Sequence, residues 1–122
     1  MVSAIQKINL KDGAPVRLLI TPSLFSIAHQ RGISLEVEDY RNDTYGTLHL
    51  YTKIMWLAAL NYIEVAKMDE PDTPDADFTF MDFEIWAGQN RKDFTRMMGI
   101  VIQCLRGDDS PVQDDGEDEK KK

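Results

Sequence analysis

Two histidines and a single cysteine, His29, His49 and Cys104, are the residues of this chain best suited to metal binding or nucleophilic chemistry. A zinc site needs about four nitrogen, sulfur or carboxylate ligands, often paired at short local spacing. Here the three residues stand apart on three separate predicted helices, so only convergence in space would make them a metal-dependent enzyme site. His29 follows Ala28 near the end of its helix, where an imidazole interacts favourably with the last carbonyls and the helix dipole. Cys104 neighbours the apolar stripe of the last helix, where a thiol behaves as a small hydrophobe. As a nucleophile it would need a base beside it and a depressed pKa. The expectation is a helix-end histidine and a packing cysteine.

The carboxylates lead to the same expectation. Asp108-Asp109 and Asp114-Asp115 are adjacent in sequence, but they stand in "GDDSPVQDDGEDEKKK" with nothing apolar to push their pKa values apart, as acid–base work requires. The run "DEPDTPDAD" lacks the turn glycine and closing glutamate of a calcium loop. No glycine-rich phosphate loop or nucleophile elbow occurs. The basic residues Arg91, Lys92 and Arg96 are interrupted by Asp93 and read as a solvated face. The chain is therefore read as a non-enzyme with no catalytic residue, metal ligand or cofactor.

These side chains must be placed by a small fold. A chain of 122 residues suits one domain, residues 1–106, and buries roughly two-thirds of its unfolded surface. The net charge of −7 argues against a nucleic-acid binder, which would need a basic face. Residues 107–122 carry seven acids against three lysines, which leaves −3 for the body and marks 107–122 as a disordered charged tail. "MVSAIQKINL" has neither the basic leader nor the apolar core of a signal peptide. The longest apolar run, "IMWLAAL", is far shorter than the ~20 residues of a membrane span. With one cysteine and so no internal disulfide, the expected location is the cytoplasm.

The expected fold is mainly α (α+β), a short N-terminal β-hairpin followed by about four helices. "IQKINLKDGAPVRLLI" reads as two strands turning at Asp12-Gly13. Thr21 is the expected N-cap of the first helix, Pro22 its first residue and Gly32 its stop. Leu24, Phe25, Ile27 and Ala28 are its apolar stripe. "ISLEVEDYRND" is ambiguous, since Ile33, Leu35 and Val37 alternate as in a strand while the acids suggest a loop or a short turn of helix. A long helix runs through "TYGTLHLYTKIMWLAALNYIEVAKM", capped by Asn42, Asp43 or Thr44. Leu48, Tyr51, Met55, Ala59, Tyr62 and Ala66 form one stripe on it, and Leu50, Ile54, Leu57 and Val65 a second, which makes it central. Thr79 and Asp82 form a capping box over "FMDFEIWAGQ". Gly88 or Asn90 divides that helix from the last, residues 91–106. There Phe94, Met97, Met98, Val101, Ile102 and Leu105 form the cleanest amphipathic stripe in the chain. Methionine-rich helix faces suit adaptable protein contacts, so this stripe is the expected partner-binding face, shared with the core. Uncovered stripes would also favour self-association.

With these elements in place, "VRLLITPSLFSIAHQRGISL" resembles the opening of the tail assembly chaperone family of long-tailed phages and prophages. Thr21, Leu24, Ile27 and Gly32 fall where that family places a threonine, two apolar residues and a glycine. "IMWLAALNYIE" is similar to its long helix, with Ala58, Ala59 and Leu60 at the core, and "DFTFMDFEIWAGQN" to its later threonine-capped helix. Ala28, His29 and Gln30 depart from the acids often found late in the first helix. The resemblance spans about residues 16–106. It implies a protein without catalytic residues, acting in the host bacterial cytoplasm on a tape-measure protein and on tail-tube subunits, with no nucleic-acid or membrane partner. Another small phage or mobile-element structural protein, such as a tail-completion adaptor, would share the helical outline. In many phages of this kind a programmed frameshift near the end of the gene makes a longer second product, for which an A-rich message encoding Lys120–Lys122 is a candidate slip site; the alternative reading is that the three lysines are simply a solvated end.

Overall fold

Alternation of side chains sets the first element. In the computed structural model, which describes residues 3–11, 14–35 and 44–106, β1 (Ile5–Lys11) pairs antiparallel with β2 (Ala14–Leu19). Ile8 and Leu10 on β1 and Leu18 on β2, with Ile20 just beyond it, are all buried. Ile5, Lys7 and Asn9 take the opposite phase and stay exposed, as a period of two requires. The register pairs Ile5 with Leu19, Lys7 with Arg17 and Ile8 with Val16, then shifts between Asn9 and Lys11. The Ile20 N–H donates to the Ala4 carbonyl at 2.8 Å, carrying the ladder one step past both strands. The expected turn at Asp12-Gly13 lies outside the described residues.

Helix α1 (Ser23–Gln30) begins later than the threonine–proline pair implies. Pro22 is its N-cap, and no side chain caps it. The Thr21 hydroxyl is engaged elsewhere, 2.6 Å from the Ser23 Oγ. The Leu24 and Phe25 N–H groups instead donate to the carbonyls of Thr21 and Pro22, at 3.0 and 2.9 Å. Leu24, Ile27 and Ala28 are buried, whereas Phe25 is exposed. At 100° per residue Phe25 points away from the arc shared by the other three. The C-terminus is a Schellman motif: Ile33 N–H donates to Ala28 O at 2.9 Å and Gly32 N–H to His29 O at 3.2 Å, with Gly32 at φ +68°.

Helix α2 (Thr44–Asp69) is the axis of the molecule and packs against β2, α1 and α3. Its middle is buried almost all round: Ile54, Met55, Leu57, Ala58, Ala59, Leu60 and Asn61. The two expected stripes therefore merge at the centre, while Leu48, Tyr62 and Ala66 are half-buried toward the ends and Val65 is exposed. Of the expected caps, Asn42 and Asp43 lie outside the described residues. Thr44 is the first helical residue.

After α2 the chain turns through two prolines, and an ion pair between Lys67 and Asp75 ties the connection back to the helix. Helix α3 (Phe80–Gln89) opens with the expected capping box. Asp82 N–H donates to Thr79 Oγ1 at 3.3 Å, and Thr79 N–H donates to Asp82 Oδ2 at 2.9 Å. Asn90, rather than Gly88, makes the break. Its backbone N–H and its Nδ2 both donate to Trp86 O, at 2.9 and 3.0 Å, closing α3. Its own carbonyl accepts from Phe94 N–H at 2.8 Å, opening α4 (Arg91–Arg106). Trp86 and Phe94 meet edge to face across this corner with centroids 6.3 Å apart. Residues 107–122 lie outside the described residues.

Candidate partner-binding surface

Position along α4 decides which of its apolar residues face inward. Phe94, Met97 and Val101 are buried in the common core. Met98 and Leu105 are half-buried on one flank, and Ile102 between them is 41 % exposed. The six-residue stripe expected as a contact face is therefore divided. Three residues hold the helix to its own protein, and Met98, Ile102 and Leu105, spaced i, i+4 and i+7, form a ridge at the boundary with solvent.

A second apolar surface lies on α3 and was not singled out from the sequence. Phe83, Trp86 and Ala87 face inward, while Met81 and Ile85, one turn apart, are 65 % and 50 % exposed. At 100° per residue this pair lies nearly opposite Phe83 and Trp86. The signal was present in "FMDFEIWAGQ", whose apolar residues occupy two faces of a short helix. A helix at the surface of a small domain buries only one of them.

The other singled-out residues are held apart. His29 is exposed in the last turn of α1, His49 lies in α2 and Cys104 in α4. Among the described residues no group of three His, Cys, Asp or Glu side chains is placed to hold a metal ion. The Cys104 thiol is half-buried and donates to the Ser3 carbonyl at 3.6 Å, fastening the end of α4 to the start of the hairpin. Burial raises its pKa, which keeps it in the protonated, weakly nucleophilic form. His49 lines a half-open cleft of about 230 Å³ between α2, α3 and α4 with Thr52, Glu84, Arg91 and Phe94. Its Nδ1 is 3.8 Å from a Glu84 carboxylate oxygen, and the Phe80 ring meets it edge-on with centroids 5.2 Å apart. The Thr52 hydroxyl donates to Leu48 O at 2.6 Å, one turn back in its own helix.

One polar residue central to the architecture escaped the sequence reading. Asn61 is buried in the middle of α2 and closes a ring of hydrogen bonds with the start of α1. Its Nδ2 donates to Leu19 O at 2.9 Å and to Thr21 Oγ1 at 3.1 Å, and Ser23 Oγ donates to Asn61 Oδ1 at 2.9 Å. The Ser23 proton is thereby used, so Thr21 must donate in the 2.6 Å contact between the two hydroxyls. Every side-chain proton and acceptor in this ring has a role, and the Leu19 carbonyl fixes which way the amide points. The ring takes the Thr21 hydroxyl out of capping and anchors the β2–α1 corner on α2.

Among the described residues no helix is long and apolar enough to cross a membrane. No protein-family model, curated protein or solved structure matches the chain.

Proposed function

We propose that this chain is a non-enzymatic tail assembly chaperone of a long-tailed phage or prophage. It works in the bacterial cytoplasm, shielding apolar helical surface of a tape-measure protein and helping to recruit tail-tube subunits. The observation that carries the reading is the division of apolar residues on α3 and α4. The core takes Phe83, Trp86, Phe94, Met97 and Val101, and Met81, Ile85 and Ile102 remain at the surface. Exposed methionine and isoleucine spaced one helical turn apart suit a reversible contact with the apolar stripe of another helix, because methionine adapts its shape to varied partners. The resemblance of residues 16–106 to the family supplies the biological setting, and the −7 net charge favours solubility of a loaded complex.

Co-expression with the tape-measure protein of the same phage or prophage tests this. The full chain is expected to keep that partner in the soluble fraction, and Met81→Asp with Ile85→Asp to lose that ability while keeping the wild-type circular dichroism. Surface substitutions of this kind change stability by only about 0.5 kcal/mol, so a loss of solubilisation reports on the contact rather than on the fold. An unchanged soluble yield with the double variant would overturn the assignment of this face. Retention of the chain in finished particles would instead identify a tail-completion adaptor.

A further inference from the structure

The outward face of the hairpin carries a charge arrangement at odds with the rest of the molecule. Lys7 and Arg17 are directly opposed in the β1–β2 register, both are exposed, and among the described residues neither makes an ion pair. Like charges placed directly across two strands repel and weaken the pairing. Within residues 3–20, Lys7, Lys11 and Arg17 against Asp12 give +2, in a chain whose total is −7. The acids of residues 107–119, seven of them with no basic residue between, follow directly on α4. The end of α4 lies beside the hairpin, since the Cys104 thiol donates to the carbonyl of Ser3. From Ser3 to Lys7 is about 13 Å along a strand. Residues 107–119 span up to about 40 Å when extended.

From this juxtaposition we infer that the acidic segment 107–119 docks on the Lys7–Arg17 face of its own hairpin. The segment neutralises the opposed cations and covers the basic face that they form. Tethering supplies the segment at millimolar effective concentration, so individually weak surface ion pairs suffice. The inference stands independently of the proposed chaperone role. Lysine and arginine on a hairpin also deter edge-to-edge strand pairing, a role that needs no occupant; the experiment separates the two.

Full-length protein, an equal mixture of ¹⁵N-labelled and unlabelled chains, is treated with a water-soluble carbodiimide and mapped by mass spectrometry. The reagent joins a lysine Nζ to a carboxylate with loss of water. At about 0.01 M salt, where charges act over about 30 Å, Lys7 is expected to link to residues 107–119 within one chain more often than Lys92 does. At about 1 M salt, where screening cuts that range to about 3 Å, the excess should vanish. Arg17→Glu should lower the Lys7 link about two- to fivefold, the range of one or two surface ion pairs. Equal yields at Lys7 and Lys92, yields insensitive to salt or to Arg17→Glu, or links mainly between labelled and unlabelled chains would each overturn the inference. The last of these would assign the segment to a second copy.

Discussion

Replacing Asn61 by alanine is the most incisive single perturbation of this fold. The substitution removes both hydrogen bonds donated by Nδ2 and the one accepted by Oδ1, and breaks the ring that joins α2 to Thr21 and Ser23. Ser23 is exposed and Thr21 half-exposed, so water can replace part of what their hydroxyls lose. The Leu19 carbonyl loses a buried donor. A net hydrogen bond contributes about 1 kcal/mol, and an unsatisfied buried group costs about 1–3 kcal/mol. The expected destabilisation is therefore about 2–4 kcal/mol, a large share of the roughly 5–15 kcal/mol that a domain possesses. Urea unfolding followed by circular dichroism should show a lowered midpoint with an unchanged slope. The melting temperature should fall by roughly 10–20 °C. Ser23→Ala removes one bond and should cost about 1 kcal/mol. Because the two residues share one ring, the double variant should be less destabilised than the sum of the single ones. An Asn61→Ala variant within about 0.5 kcal/mol of wild type would refute the ring as an anchor, as would strict additivity with Ser23→Ala.

Further outcomes follow from other sites. Gly32→Ala should lower stability by about 1–2 kcal/mol in urea titration, because Gly32 sits at φ +68° and a Cβ there meets nothing within 4 Å, so the cost is purely one of backbone conformation. Cys104, with its pKa raised by burial, should react with iodoacetamide more slowly than a free thiol at neutral pH and accelerate only at a pH above the usual thiol range. The hydrogen bond and positive charge of Lys67 hold the Asp75 carboxyl below its usual value. The pair therefore stabilises fully above the ordinary aspartate pKa of about 3.9 and is lost as pH falls through the depressed folded value. A carboxyl carbon NMR titration should place the Asp75 midpoint below about 3.9, and Lys67→Ala should return it there.

Local chemistry was enough to read most of the elements. The capping box at Thr79 and Asp82 and the span Phe80–Gln89 depend on atoms three residues apart, so the sequence holds everything they need. The same is true of the Gly32 stop, a backbone conformation that glycine adopts without strain. The 91–106 helix was legible because its apolar period repeats over four turns. Where the reading went astray, a distant partner had intervened. Thr21 looks like an N-cap beside Pro22, yet its hydroxyl serves a ring closed by Asn61, forty residues on. Phe25 looks like part of a stripe, but the packing arc of α1 against α2 excludes it.

Sequence by itself thus determined which segments are helix or strand, where most of them begin and end, and which residue types they carry, because those choices are made over a few bonds. Tertiary structure alone decided the fate of each apolar face. Phe94, Met97 and Val101 went to the core, and Met81, Ile85 and Ile102 stayed at the surface, although periodicity marks both groups as apolar. Burial is a property of what packs opposite a side chain. Hydrophobic attraction has no direction of its own, so only the positions of the neighbouring helices could say which faces this molecule buries and which it leaves at the surface.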